Sequence, residues 1–203
     1  MIDTLFFWQD GVITTPLAEV VLEQVRFLGA GELDVRTRLA VRDWVQGLQL
    51  GRVSGESFCQ KLQVLVPALA CYSDLPSRFL SAVALSPGMA DLLAEARTEY
   101  ECWLVSSYPS DWLQALDQRL GLSIMFSPAR VQVFPQAGLG KCLPDVFVWA
   151  IQKAQKRMES CLWVAGEAAM TTSAVRVGLN AIVFADSRRL RRELVLRGML
   201  PTR

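Results

Sequence analysis

Short apolar segments alternate with amphipathic segments of helical period from about residue 86 to the end of the chain. Strands that alternate with helices form a parallel sheet with helices on both faces, so this pattern predicts an α/β, Rossmann-like domain. The predicted strands are residues 5–8, 101–107, 124–126, 131–134, 161–164 and 181–184.

Residues 15–81 have a different pattern. Their apolar side chains recur at the 3.6-residue period of helices, as at Leu17 and Val21, and four such segments follow one another with no strand between them. We therefore predict a small all-helical cap at residues 15–81. It is inserted after the first strand of a core domain made of residues 1–14 and 82–203.

The composition excludes several classes of function. The 203 residues include no histidine, which rules out Ser-His-Asp triads, histidine metal sites and phosphohistidine transfer. Five cysteines without a CxxC pair indicate reduced, buried thiols and argue against a zinc site. The net charge is +1, and the basic run at residues 188–192 suits a solvated helix face, so we expect no nucleic-acid partner.

The chain also gives no sign of a membrane or secretory protein. No apolar run is long enough for a membrane-spanning helix. The first residues, 1–5, lack the basic region and the small-residue cleavage site of a signal peptide. We expect a cytoplasmic protein with no membrane partner.

Ligands of parallel α/β sheets bind beyond the carboxyl ends of the strands, so candidate functional residues are those that follow the predicted strands. A polar loop with a glycine follows the first strand, and two hydroxyl side chains end the second. The candidates are Trp8, Asp10, Ser106, Ser107, Lys141 and the segment Ala165–Glu167.

Several of these residues also have a purely structural interpretation. Trp8 suits a core residue at a strand end, or it lines a pocket for another ligand. Asp10 suits a turn or capping residue, because Asp before Gly stabilises tight turns. Ser106 suits a plain strand-end hydroxyl, and Lys141 suits a solvated lysine after a glycine-rich loop. Both kinds of role stay open at this point.

The order and spacing of the strand-end segments resemble the four motifs of the haloacid dehalogenase-like (HAD) superfamily. The most specific match is Gly140–Phe147, which is similar to the family's G-x-x-K-P-x-P-x-x-F segment with Cys142 in place of the first proline. The resemblance covers nearly the whole chain. It looks like the C1-type subgroup, whose helical cap follows the first strand.

The resemblance implies a specific chemistry for active members. Their first motif reads Asp-x-Asp, in which the first carboxylate attacks phosphorus and the second acts as general acid and base. A Mg²⁺ ion is held by carboxylates of the first and fourth motifs and by a backbone carbonyl. A Ser or Thr hydroxyl and a lysine complete the phosphate cradle.

The chain keeps about half of that set. Trp8 stands at the nucleophile position, and its indole neither attacks phosphorus nor binds Mg²⁺. Asp10 matches the acid/base position. Ser106, followed by Ser107, matches the hydroxyl position, and Lys141 matches the cradle lysine. The resemblance thus implies an anion-binding set without its nucleophile.

The fourth motif has two alignments. Without a gap, its acidic positions fall on Ala165, Gly166 and Met170, which leaves it no acid. With a gap of one residue, Glu167 becomes a possible metal ligand. We favour the ungapped alignment, because the helix that follows is otherwise one residue short.

Two functional hypotheses follow. In the first, the chain is a pseudoenzyme that has lost the phosphatase or dehalogenase chemistry, needs no cofactor, and binds a small phosphorylated or anionic ligand or a protein partner. This agrees with a homodimer formed through the cap, and Trp44 and Trp112 are candidates for the cap–core cleft or a partner surface. In the second, it is an active phosphatase with a rearranged site, in which Asp10 is the base and Glu167 or Asp186 binds Mg²⁺.

Overall fold

The predicted α/β sheet is confirmed by the computed structural model, which describes residues 1–134 and 144–202. Five parallel strands form one sheet in the order β3-β2-β1-β4-β5, so the first strand is central. The strands are β1 (Thr4–Trp8), β2 (Glu101–Ser106), β3 (Val131–Val133), β4 (Cys161–Ala165) and β5 (Asn180–Val183).

Helices connect the strands and cover both faces of the sheet. They are α1 (Leu17–Val25), α2 (Val35–Gln49), α3 (Gly55–Leu65), α4 (Leu75–Ala82), α5 (Met89–Ala96), α6 (Ser110–Leu120), α7 (Leu122–Phe126), α8 (Pro144–Ala154), α9 (Ala168–Arg176) and α10 (Ser187–Leu196). Over the described ranges, none of them is long and apolar enough to cross a membrane.

Helices α1–α4 lie between β1 and β2 and pack on one another, as the helical pattern predicts. The connection from β1 to α1 and the connection that follows α4 lie side by side. The backbone nitrogen of Thr15 donates to the carbonyl of Ala84 at 2.9 Å, and the nitrogen of Ala84 donates to Oγ1 of Thr15 at 3.1 Å. The division of the chain into cap and core at residues 14 and 82 stays a prediction.

One predicted strand is wrong. Residues 124–126 belong to helix α7, not to a strand. A strand places residues 124 and 126 on the same face, but Ile124 is 80% exposed while Phe126 is buried. Leu122 and Phe126 are both buried, which is the four-residue spacing of one helix face. The apolar run was too short for its period to distinguish the two structures.

A row of aromatic rings crosses the middle of the sheet. Phe6 of β1 is in register with Trp103 of β2 and with Trp163 of β4, and its ring stacks on both at centroid distances of 6.2 and 5.6 Å. Phe147 of α8 meets Trp163 edge-on at 4.9 Å, so α8 covers this face. Phe7 points to the other face, where it contacts Phe126 of α7.

We expect Trp163→Ala to lower the free energy of unfolding by about 3–5 kcal/mol, the usual cost of truncating a fully buried large aromatic side chain. Urea denaturation followed by far-UV circular dichroism measures the change. Trp149→Ala is the matched control, because Trp149 is only partly buried and should cost less. Equal losses in the two variants would contradict a central role for the aromatic row.

Candidate functional site

Trp8 ends the central strand, at the position that the resemblance assigns to the nucleophile. Its side chain is 3% exposed, and its ring lies 6.3 Å from that of Trp163. Side chains two residues apart in a strand share a face, so Trp8 lies on the same side of the sheet as Phe6. This placement favours the interpretation of Trp8 as a core residue over that of a pocket-lining residue.

Asp10 lies in a tight turn directly after β1. The carbonyl of Gln9 accepts hydrogen bonds from the backbone nitrogens of Ile13 and Thr14, each at 3.0 Å, and this closes the turn. Gly11 adopts a φ of 75°, which favours glycine at this position. The Asp10–Gly11 pair of the sequence is therefore a genuine turn, as its structural interpretation predicts.

The Asp10 carboxylate accepts three hydrogen bonds from three separate segments. Oδ1 accepts from the backbone nitrogen of Leu17 at 2.7 Å and from the Tyr108 hydroxyl at 2.8 Å. Oδ2 accepts from Nε2 of Gln49 at 2.8 Å. Leu17 begins α1, Gln49 ends α2, and Tyr108 follows β2, so both oxygens are used to hold other parts of the protein.

Tyr108 connects Asp10 to the strand-end serines. Its backbone nitrogen donates to Oγ of Ser106 at 3.1 Å while its hydroxyl donates to Asp10. Ser106, Ser107 and Tyr108 are all buried. Burial, and then the negative charge of Asp10, raise the pKa of Tyr108 well above its ordinary value. The hydroxyl therefore stays protonated and keeps donating to the carboxylate.

The end of β4 lies against the turn of the first strand. A Cβ atom built on Gly166 would be 3.0 Å from the carbonyl oxygen of Gly11, so a side chain at Gly166 requires a backbone shift. Met170 is buried in α9, and Glu167 is exposed at the residue before that helix. The two alignments of the fourth motif are not decided by this placement.

Comparison with solved structures identifies the fold. A predicted HAD-like family hydrolase from Porphyromonas gingivalis is similar over 100% of both chains, with a TM-score of 0.72 and 20% sequence identity. An L-2-haloacid dehalogenase from Xanthobacter autotrophicus, with chloropropionic acid covalently bound, is similar over 99% of this chain and 85% of its own, with a TM-score of 0.67 and 20% identity. The chain has the haloacid dehalogenase-like fold.

A third structure with this fold is a HAD family enzyme from Bacteroides thetaiotaomicron in complex with magnesium and inorganic phosphate. It is similar over 92% of this chain and 96% of its own, with a TM-score of 0.70 and 12% identity. No family model and no curated protein matches the chain. At these identities the likeness establishes the HAD-like fold and leaves activity to be argued from the site.

The HAD resemblance implies a magnesium ion held by residues of the first and fourth motifs, and two of those positions hold residues without a carboxylate. Trp8 offers no ligand, and both oxygens of Asp10 already accept hydrogen bonds. Gly166 has no side chain to offer. Throughout residues 1–134 and 144–202, no group of three or more Cys, Asp or Glu side chains is arranged to hold a metal ion.

The structure brings together Asp10 and Ser106, through Tyr108, and places Trp8 beside them at the end of β1. Lys141, the predicted cradle lysine, lies outside the described residues. Sequence reasoning missed Tyr108 and Gln49. The sequence could have indicated Gln49, because it follows Val41 and Val45 at helical spacing, which predicts that it lies on the buried side of α2. A polar residue in such a row needs a hydrogen-bond partner.

Tyr108→Phe tests the Asp10–Tyr108 bond through its pH dependence. A pKa raised by folding means that the stabilisation is complete below the unfolded tyrosine pKa of about 10 and is lost as the pH rises above it. Hydrogen bonds to charged groups contribute about 1.5–3 kcal/mol. We therefore expect the free energy of unfolding of wild type at pH 8 to exceed that of the variant by roughly that amount. This difference in unfolding free energy, measured by urea titration, should become smaller above pH 10.

Buried cysteines provide the internal control for that measurement. Burial raises the pKa of Cys59 and Cys161 to about 11 and that of Cys102 to about 12. Both proteins should therefore lose stability above about pH 8.5, where unfolded thiols ionise. A difference in unfolding free energy between wild type and variant that stays constant up to pH 11 would show that folding does not raise the pKa of Tyr108.

Proposed function

We propose that this chain is a non-catalytic protein of the HAD-like fold that acts by binding a partner. The observation that carries the proposal is the Asp10 carboxylate, whose two oxygens accept three hydrogen bonds from the protein itself. A general acid or base must lie within hydrogen-bond reach of its substrate and exchange a proton with it. Asp10 is committed to Leu17, Tyr108 and Gln49 instead.

The nucleophile position supports the same proposal. Formation of an aspartyl phosphate needs a carboxylate with free oxygens at the end of β1. Trp8 supplies an indole ring packed on Trp163. The neighbouring residues do not supply the missing carboxylate, either as nucleophile or as metal ligand. Gln9 carries an amide, and Gly11 has no side chain.

The helical segment, helices α1–α4, contacts the sheet domain, which is the sheet with its remaining helices, through buried aromatic rings. Trp112 of α6 is buried, and its ring lies 6.2 Å from that of Phe58 in α3. A Cβ built on Gly55, at the start of α3, would be 3.0 Å from Nε1 of Trp112. Trp112 of α6 therefore packs against α3.

Recognition of a small anion has less support than recognition of a protein. Oγ of Ser106 is buried and already accepts a hydrogen bond from Tyr108. The helical segment, in contrast, carries five of the ten large apolar side chains that are exposed in the described residues: Phe27, Val35, Leu39, Val64 and Leu65. Exposed apolar surface of this kind is typical of protein interaction sites.

A groove between α2 and α3 is the part of this surface that we assign to a partner. Trp44, Val64 and Leu65 line it, with Lys61 placed over the Trp44 ring at 5.8 Å. Its volume is about 450 Å³, and Val64 is 84% exposed. An aromatic ring flanked by aliphatic side chains and one lysine suits an apolar protein surface. We propose a second copy of this chain as the partner.

The catalytic half of the proposal predicts no turnover. Purified wild type should release neither phosphate from p-nitrophenyl phosphate nor chloride from 2-chloropropionate above the rate of Asp10→Asn, with or without Mg²⁺. Calorimetric titration should show no stoichiometric Mg²⁺ binding. Circular dichroism of both proteins establishes that each is folded. Mg²⁺-dependent turnover in wild type that Asp10→Asn abolishes would show that the chain is an active hydrolase.

The binding half predicts self-association through the groove. Light scattering across a dilution series should show a mass that falls from two chains to one, and Val64→Glu should shift the transition to higher protein concentration, because it places a charge in an apolar contact. Val175→Glu is the matched control, since Val175 is an exposed valine of α9. A monomer at all concentrations, or equal effects of the two variants, would refute the proposed dimer.

A further inference from the structure

Two kinds of contact join the helical segment to the sheet domain. The two hydrogen bonds between Thr15 and Ala84 join the two ends of the helical segment to each other, so a movement of the segment as a whole need not break them. The contacts of Gln49 with Asp10 and of Phe58 with Trp112 join the body of the segment to the sheet domain. Any opening of the segment must break this second kind.

Gln49 is unusual among these contacts because it is polar and 2% exposed. It ends α2 and reaches Oδ2 of Asp10 with its amide nitrogen. A hydrogen bond that a carboxylate accepts is stronger than one between neutral groups, and a buried donor such as the Gln49 amide meets less competition from water. The bond is therefore worth more than an exposed hydrogen bond of the same length.

Asp10 also holds the beginning of the helical segment. Its Oδ1 accepts from the backbone nitrogen of Leu17, the first residue of α1, so the carboxylate lies at a helix N-terminus where negative charge is favoured. Pro16, the residue before the helix, has no side chain able to cap it. The same carboxylate thus fixes both the start of α1 and the end of α2.

We propose that the Gln49–Asp10 contact is a latch that keeps the helical segment closed on the sheet domain, with Thr15 and Ala84 as the hinge. The guanidinium of Arg119 in α6 supports the hinge, because it donates to the carbonyl oxygens of Leu80 and Val83 where the segment returns. The latch follows from these contacts alone and does not depend on the proposed dimer or on the absence of turnover.

Gln49→Glu tests the latch, because it replaces the donor by a second carboxylate facing Asp10. Native-state hydrogen exchange with mass spectrometry should show amide exchange in residues 35–50 and in α1 that is faster by about ten-fold or more. Amides of β1, β2 and β4 should exchange as in wild type, because opening of the segment leaves the sheet folded.

Gln46→Glu is the matched control, since it makes the same change of charge one turn earlier on the exposed side of α2. It should exchange as wild type does. Gln49→Leu removes the bond without adding charge and should give the same pattern with a smaller increase, so the test does not depend on one variant. Unchanged exchange in both Gln49 variants, or an equal increase in the sheet, would overturn the latch.

Discussion

The Asp10 carboxylate joins three segments that are distant in sequence, and the arrangement of the molecule around β1 depends on those bonds. Its partners lie 7, 39 and 98 residues away, at the start of α1, the end of α2 and the end of β2. A carboxylate satisfies several donors at once, because it offers two oxygens and a full negative charge. A neutral side chain of the same size would leave at least one of these buried donors without an equal partner.

This structural role changes what the resemblance to HAD enzymes implies. Asp10, which the resemblance assigns to the acid and base, accepts three hydrogen bonds from the protein, and Trp8, which it assigns to the nucleophile, is a buried indole. The aromatic row through Phe6 joins the three central strands without the help of any candidate catalytic residue. The chain thus illustrates why function has to be argued from a site and not from its scaffold.

The fold was predictable from local patterns, and the site was predictable only in part. The alternation of strands and helices and the helical insertion follow from the periods of apolar residues, which fail only in a run as short as 124–126. The turn at Asp10 follows from its Asp-Gly pair. Tyr108 and Gln49 could not be paired with Asp10 in advance, because no local pattern encodes contacts over 98 and 39 residues.

The same geometry opposes substitutions that would place the acidic residues of active HAD members at these positions. Trp8→Asp would remove an indole packed on Trp163 and place a carboxylate against that apolar face, at a cost in packing and in desolvation. An acid at Gly166 would press on the carbonyl of Gly11, and freeing Asp10 would require breaking its bond to Gln49. Each change toward a reactive site removes a stabilising contact or adds a steric conflict, so packing opposes acidic residues at these positions.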